Sequence, residues 1–358
     1  GLPTTAACPA FSYSPAVDAT SVRLLLDQGA IAVGKTNLDQ FATGLNGTRS
    51  PFGAPESVFG GDLISGGSSS GGAVAVAAGV VAFALGTDTA GSGRVPAALN
   101  GIVGVKPTRG LVSTAGGVPA CRSLDSGSLF APPHGDGRRV LSVLPGPAPA
   151  DPWSRVPKTP SRRVENDDSP GRVGVPAADV LTDQGFAEAF RRGVDGLDTR
   201  PVPLDPLFEA GDLLYDGPWV AERLAGLADF LAKHPDDVLP VTRAVIEGGR
   251  EFDAVACFRA RHRLQELRAW TERLWSRVDV LLLPTIPTTF TRAQLAAEPV
   301  AHNRTLGRFT QFTNLLDLAA VAVPAGTTAD GRPFGVTVFG PAFAEDRLIS
   351  AARELEAA

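Results

Sequence analysis

The hydrophobic residues of this chain occur in short apolar runs, which are separated by stretches with the spacing of amphipathic helices. Ser14-Pro15 matches the N-cap and first turn of a helix that would end at Gly29. Further helices are predicted at 37–45, at 71–78 and across the periodic region 218–275. The apolar runs predict buried strands at 30–33, 80–85, 278–283, 320–323 and 334–339.

Strands that alternate with helices indicate the α/β class. The pattern predicts a single mixed, largely parallel β-sheet covered by helices on both faces. We expect one domain over 1–358. Residues 131–170 are rich in Pro, Gly and mixed charge, so this part is predicted to be a long surface excursion.

Composition excludes several classes of protein. Apolar residues make up 44% of the chain and charged residues 20%, which suits a globular protein with a sizeable core. The net charge of −5 provides no basic surface for nucleic acid or an acidic membrane, and no apolar run is long enough to span a bilayer. The three cysteines are too few for a disulfide framework or a metal cluster, which predicts a cytoplasmic location.

Candidate chemistry is concentrated in residues 64–110, where serines interrupt a background of Ala, Val and Gly. Ser68, Ser69 and Ser70 form a cluster, and Ser92 follows 24 residues after Ser68, between two glycines. Buried hydroxyl groups cost free energy unless they have partners, so serines kept on such a scaffold indicate a function. The successive N–H groups of 89–92 are suited to holding a developing oxyanion.

Other motifs in the chain allow different interpretations. Residues 29–36 match the P-loop pattern, but a predicted helix precedes the glycine loop, so Lys35 is interpreted as a structural or interface residue. Gly67–Gly71 matches a nucleophile elbow centred on Ser69, without the strand that should precede it. The serine cluster could also bind an anion or cap a helix. The four histidines, which a Ser-His-Asp triad would need, lie in segments predicted to be exposed: His134, His234, His262 and His302.

Several motifs, in order along the chain, resemble the amidase signature family: GKTNLDQF, GGSSSGG, AVAVAAG, DTAGSGRVPAA, GIVGVKPTRG, VDVLLLPTIPT and AVAVPAG. The resemblance implies an α/β/α fold with one mixed sheet, a Ser–Ser–Lys catalytic set and no cofactor. Within the family, GLPTTAACPAF and VPACRSLD are most similar to the amidase domains of allophanate hydrolases. Family members often dimerise, so a homodimer is one expected assembly.

The resemblance assigns roles to residues of the serine segments. Ser92 would be the nucleophile, and Ser68, held by a cis peptide, would relay a proton. The N–H groups of Thr89, Ala90, Gly91 and Ser92 would form the oxyanion hole. Asp88 would fix that loop through hydrogen bonds, although an Asp before a turn is as often only a cap. The family's catalytic lysine would lie upstream of Gly1, so we expect that this sequence lacks the segment that carries it, as well as any C-terminal accessory domain.

Substrate recognition is predicted from LYDGPWVAERL, which resembles the substrate-binding segment of allophanate hydrolases. Arg223 would bind a substrate carboxylate and Tyr215 the urea-like centre, and Gly44 would offer a backbone contact. The alternative is a solvated arginine and a core tyrosine. The expected function is hydrolysis of the terminal amide of allophanate. Alternatives are another small-amide hydrolase, the amidase subunit of an amidotransferase, or an inactive core that binds a small carboxylate or a partner subunit.

Overall fold

The computed structural model describes residues 1–135, 137–146, 148–156 and 171–357. Eight strands form one sheet: β1 Ala84–Thr87, β2 Val103–Lys106, β3 Gly127–Ala131, β4 Val173–Pro176, β5 Thr199–Val202, β6 Val280–Pro284, β7 Leu318–Thr327 and β8 Pro333–Pro341. Twelve α-helices are described: α1 Thr20–Asp27, α2 Ser70–Ala77, α3 Arg94–Leu99, α4 Gly137–Val143, α5 Gln184–Val194, α6 Asp205–Tyr215, α7 Trp219–Lys233, α8 Pro240–Glu247, α9 Ala254–Leu274, α10 Arg292–Ala297, α11 Ala301–Gly307 and α12 Glu345–Ala357. Within these ranges, no helix has the length and apolar character needed to cross a membrane.

The sheet is mixed, with the strand order β1-β3-β2-β7-β8-β6-β4-β5. The prediction of a largely parallel sheet is wrong, because five of its seven pairings are antiparallel and only β4 with β5 and with β6 are parallel. A short turn between β7 and β8 makes them a hairpin, which must be antiparallel. The apolar runs correctly indicated buried strands, but an apolar run carries no information on strand direction.

Helices cover both faces of the sheet, as predicted. On β8, a side chain at Gly335 would meet Ala98 of α3, whereas one at Gly340 would meet Leu348 of α12. Because side chains alternate along a strand, positions five apart point to opposite faces. All six residues of α3 are buried, so this helix lies within the core with its first residue two positions after Ser92.

Several local predictions differ from the structure. The first helix begins at Thr20, and the run 30–33 forms no strand, since Ile31 and Val33 are 88% and 73% exposed. The helix expected at 37–45 is reduced to the 3₁₀ turn Gln40–Ala42. The strand expected at 80–85 begins four residues later, as β1. Within 131–170, α4 is a regular helix rather than part of a loop; residues 136, 147 and 157–170 lie outside the described part.

The remaining elements agree with the pattern. The helix predicted at 71–78 is α2, and the periodic region 218–275 contains α7, α8 and α9. The three apolar runs of the C-terminal half are β6, β7 and β8. The serines lie in the buried segments that lead into α2 and α3.

Candidate active site

The structure brings the two serine segments together. The N–H of Ser69 donates to the carbonyl oxygen of Ser92 at 3.4 Å. The Gly67-Ser68 peptide bond is cis, as the family resemblance implied. Ser68 is fully buried, and within the described part of the chain its Oγ has no hydrogen-bond partner. A buried hydroxyl left unpaired beside the segment of Ser92 is available for a functional contact.

Ser69 differs from Ser68, whereas Ser70 Oγ is, like Ser68 Oγ, buried without a hydrogen-bond partner within the described residues. The Ser69 hydroxyl accepts from the N–H of Thr87 and donates to its carbonyl oxygen, both at 3.1 Å, so it joins the start of α2 to the end of β1. This structural role removes Ser69 from consideration as an elbow nucleophile. Ser70 begins α2 and is buried.

The carbonyl groups of the loop before Ser92 are held by side chains from a distant segment. Asn314 Nδ2 donates to the carbonyl oxygens of Asp88 at 2.5 Å and Thr89 at 3.0 Å. Thr310 Oγ1 donates to the carbonyl oxygen of Ala90 at 2.8 Å. Three consecutive carbonyl oxygens are therefore fixed, which also fixes the orientation of the N–H groups between them.

Those N–H groups have no acceptor within the described part of the chain. Among the hydrogen bonds of the described ranges, none has the N–H of Thr89, Ala90, Gly91 or Ser92 as donor. Gly91 has φ +135°, a conformation that other residues rarely adopt, and a Cβ at this position would overlap Thr310 Oγ1. The loop is thus a row of free donors, the arrangement that stabilises a developing oxyanion.

Asp88 fixes the other side of this loop, in agreement with the role implied by the resemblance. Its carboxylate accepts from the N–H groups of Gly93 at 3.1 Å and Arg94 at 3.2 Å. Arg94 Nε and Nη2 also donate to the carboxylate, and both side chains are fully buried. Burial alone would raise the pKa of Asp88, but the charge and hydrogen bonds of Arg94 outweigh it and lower the pKa.

Sequence reasoning missed the role of Lys106. This lysine is fully buried at the end of β2, and its Nζ donates to the carbonyl oxygen of Pro107 at 2.6 Å and to Asn314 Oδ1 at 2.8 Å. Burial lowers the pKa of Lys106 to about 7. The amine orients Asn314, which in turn holds the loop before Ser92. One signal was present in the sequence: Lys106 ends an apolar run that is typical of a buried strand.

Two of the three residues predicted to bind substrate line one cavity. Gly44 and Tyr215 line a cavity of about 450 Å³. Arg223 is buried rather than solvated, and its Nη1 donates to the carbonyl oxygen of Phe41 at 3.1 Å and to Thr43 Oγ1 at 2.8 Å. The structure thus excludes a solvated arginine and shows that Arg223 holds the loop before Gly44.

Arg49 is a second buried arginine at this loop, and sequence reasoning did not find it. It lines the same cavity, and its Nη1 donates to the carbonyl oxygen of Thr43 at 3.0 Å. Burial lowers the pKa of Arg49, although the charge of Asp39 opposes this effect. Asp39 in turn links the loop to the serine cluster, since its N–H donates to the Ser68 carbonyl oxygen at 3.0 Å.

Lys35 and His134 make contacts outside this arrangement. Lys35 Nζ binds the carbonyl oxygen of Leu2 and Thr4 Oγ1, and residues 29–36 form no loop-to-helix junction, which agrees with a structural role. His134 is exposed and lies beside Glu356. Lys158 lies outside the described residues. In the described part of the chain, no cluster of His, Cys, Asp and Glu could hold a metal ion.

Comparison with known proteins identifies similar sequences and structures. A family model described as Amidase matches residues 1–349. Urea amidolyase from Saccharomyces cerevisiae is 45% identical over 98% of this chain and 20% of its own length. One subunit of the glutamyl-tRNA(Gln) amidotransferase from Natronomonas pharaonis is 34% identical over 96% of this chain and 89% of its own length. The structure of Kluyveromyces lactis allophanate hydrolase matches with a TM-score of 0.93 and 40% identity, over 99% of this chain and 59% of that chain.

The chain therefore belongs to the amidase family, which confirms the resemblance found in the sequence. It spans about a fifth of the length of the urea amidolyases that it matches.

Proposed function

We propose that this chain hydrolyses the terminal amide of allophanate through a serine acyl-enzyme. The observation that carries the proposal is the row of unused N–H groups at Thr89, Ala90 and Gly91, directly before Ser92. Such donors stabilise negative charge that develops on a carbonyl oxygen as a nucleophile attacks. The similarity to urea amidolyase and allophanate hydrolase supports allophanate as the substrate.

In the proposed reaction, Ser92 Oγ attacks the terminal carbamoyl carbon and Ser68 relays the proton. The oxyanion accepts hydrogen bonds from the loop N–H groups. Collapse of the tetrahedral intermediate breaks the C–N bond, and the relayed proton leaves with ammonia. Water then attacks the acyl-enzyme and releases an N-dicarboxylated amine, which decays to carbon dioxide and ammonia. The family resemblance implies a lysine as the general base, and no lysine of this sequence is assigned that role.

Substrate selection is proposed to depend on the loop before Gly44. Arg223 supplies positive charge for the carboxylate of allophanate, and Tyr215 contacts its urea-like centre. Arg223 uses one nitrogen to hold Phe41 and Thr43, so the loop and the charge are fixed together. A neutral diamide of the same size would lack the carboxylate and bind less tightly.

The test is ammonia release from allophanate, malonamate and glutamine by the wild type, Ser92→Ala and Ser68→Ala. Ser142→Ala, on the exposed surface of α4, is the matched control. The proposal expects release from allophanate, with loss of at least about 1,000-fold in the Ser92 variant. Equal activity of Ser92→Ala and Ser142→Ala would refute the serine mechanism. Turnover of glutamine alone would show that glutamine, rather than allophanate, is the substrate.

A glutamine-hydrolysing amidotransferase subunit is the second candidate. It is favoured by the amidotransferase relatives, since the chain covers 89% of the length of the one from Natronomonas pharaonis. The glutamine arm of the same assay separates the two candidates. The inactive binding core, the homodimer and the cytoplasmic location stay predictions.

A further inference from the structure

Glu222, in the first turn of α7, holds the turn formed by residues 121–125. Its Oε1 accepts from the N–H of Ser123 at 2.7 Å, and its Oε2 accepts from Ser123 Oγ at 2.5 Å and Cys121 Sγ at 3.2 Å. Burial, reinforced by the charge of Glu222, raises the pKa of Cys121, so this thiol remains a donor. One carboxylate thus accepts three hydrogen bonds from one turn.

The turn is in direct contact with the oxyanion loop. Asp125, at its end, accepts from Thr89 Oγ1 at 2.6 Å and from the N–H groups of Ala120 at 2.8 Å and Cys121 at 3.0 Å. Both Asp125 and Thr89 are buried. A displacement of the turn would therefore move Thr89, whose N–H is the first of the unused donors.

The residue after Glu222 reaches the other half of the site. Arg223 holds Phe41 and Thr43, and the same loop is bonded to Ser68 through Asp39. Because neighbouring residues of a helix point about 100° apart, the first turn of α7 contacts both segments at once. The oxyanion loop and the Ser68 loop are joined by one helical turn.

We propose that Glu222 is a positioning residue for amide hydrolysis, which holds Thr89 in place through the 121–125 turn and couples the oxyanion loop to the helix that carries Arg223. This inference rests on the proposed function. The carboxylate accepts all three hydrogen bonds at once, whereas a glutamine amide has one acceptor oxygen and would turn its NH2 group toward the Ser123 hydroxyl and the Cys121 thiol. Oxyanion donors act only when they are fixed in advance, so the effect falls on the chemical step.

The first experiment compares Glu222→Gln with Glu266→Gln, a control on the exposed side of α9 that also loses a carboxylate. We expect kcat for allophanate to fall about 10- to 100-fold in Glu222→Gln, with KM within about 3-fold of the wild type. Glu266→Gln should match the wild type. Equal kcat for the two variants, or an effect confined to KM, would overturn the inference.

The second experiment does not depend on activity. Hydrogen exchange measured by mass spectrometry should be faster over 86–95 in Glu222→Gln than in Glu266→Gln. Unchanged exchange over 86–95 would overturn the inference that Glu222 holds this loop, even if allophanate were not hydrolysed. Faster exchange without hydrolysis of allophanate would refute only the proposed function. If Glu222→Gln does not fold, Ser123→Ala, which removes one donor, provides the same comparison in both assays.

Discussion

Asp88 and Arg94 form a fully buried ion pair, with Arg94 Nε and Nη2 each donating to the Asp88 carboxylate at 2.9 Å. The pair closes the turn that contains Ser92. Arg94 Nη2 also donates to the carbonyl oxygen of Thr310, so the turn is tied to the segment that holds Ala90. The geometry at Ser92 thus depends on a charge pair rather than on apolar packing alone.

Replacing Asp88 with Asn should lower the free energy of unfolding by about 3–5 kcal/mol, because it leaves the Arg94 charge buried without its partner. Urea denaturation measures the change, with exposed Asp18→Asn as control. The folded pKa of Asp88 is lowered, so its carboxylate contributes fully to the free energy of unfolding above the unfolded pKa of about 3.9. This contribution is lost as the pH falls through the folded pKa. A variant as stable as the control would show that the ion pair contributes nothing.

Gly91→Ala should reduce kcat/KM at least about 100-fold and destabilise the fold by about 1–3 kcal/mol. Its Cβ would overlap Thr310 Oγ1, and its φ of +135° is unfavourable for alanine. Gly34→Ala is the matched control, since a Cβ there meets nothing within 4 Å. Steady-state kinetics and thermal melting report the two effects. Full activity of Gly91→Ala would contradict the assignment of this loop as the oxyanion hole.

Lys106 should make stability increase with pH above neutrality. Its folded pKa of about 7 lies below the unfolded value, so between these values the unfolded chain binds more protons. The free energy of unfolding should then rise with pH by up to about 1.4 kcal/mol per unit. Below pH 7 the amine is charged in both the folded and the unfolded state, so its burial lowers the free energy of unfolding by the full amount.

Urea denaturation of the wild type and Lys106→Met at pH 7 and pH 9 measures this effect. From pH 7 to pH 9, the free energy of unfolding should rise by about 2 kcal/mol more for the wild type than for Lys106→Met. Lys233→Met, on the exposed end of α7, should show the slope of the wild type. Identical slopes for the wild type and Lys106→Met would mean that Lys106 keeps its charge when buried.

Tyr215 and Arg223 should respond differently to substitution. Tyr215→Phe should raise KM for allophanate about 3- to 30-fold and leave thermal stability close to that of the wild type, because the Tyr215 hydroxyl makes no hydrogen bond within the described part of the chain. Arg223→Gln should raise KM and also destabilise the protein, since it holds Phe41 and Thr43. Thermal melting curves measure the effect of each substitution on stability, and steady-state kinetics measure its effect on KM. Equal melting temperatures for both variants would show that Arg223 has no structural role.

Local motifs in the sequence predicted the central part of the site. The family resemblance assigned Ser68 and Ser92 to one site, and the glycines around Ser92 predicted an unusual backbone; the structure places the two segments side by side. The roles of Asn314 and Thr310 were not predictable in this way. They reach the loop from more than 200 residues away, and neither residue type is distinctive within its own apolar segment.

Strand direction and exposed apolar runs were the main errors in the predicted fold. Ile31 and Val33 have strand-like spacing, yet no neighbouring strand pairs with them. The β7–β8 hairpin was not recognised because its turn, TADGR, separates runs that were interpreted as independent strands. Both errors arise because pairing partners are decided by tertiary contacts, which local periodicity does not contain.

The contacts of Asn314 and Thr310 also bear on the order in which the molecule can mature. A nascent chain that has emerged only as far as α9 already contains both serine segments, but the carbonyl groups before Ser92 still lack their partners. The loop acquires its final shape only when 310–314 has been synthesised and has packed against it.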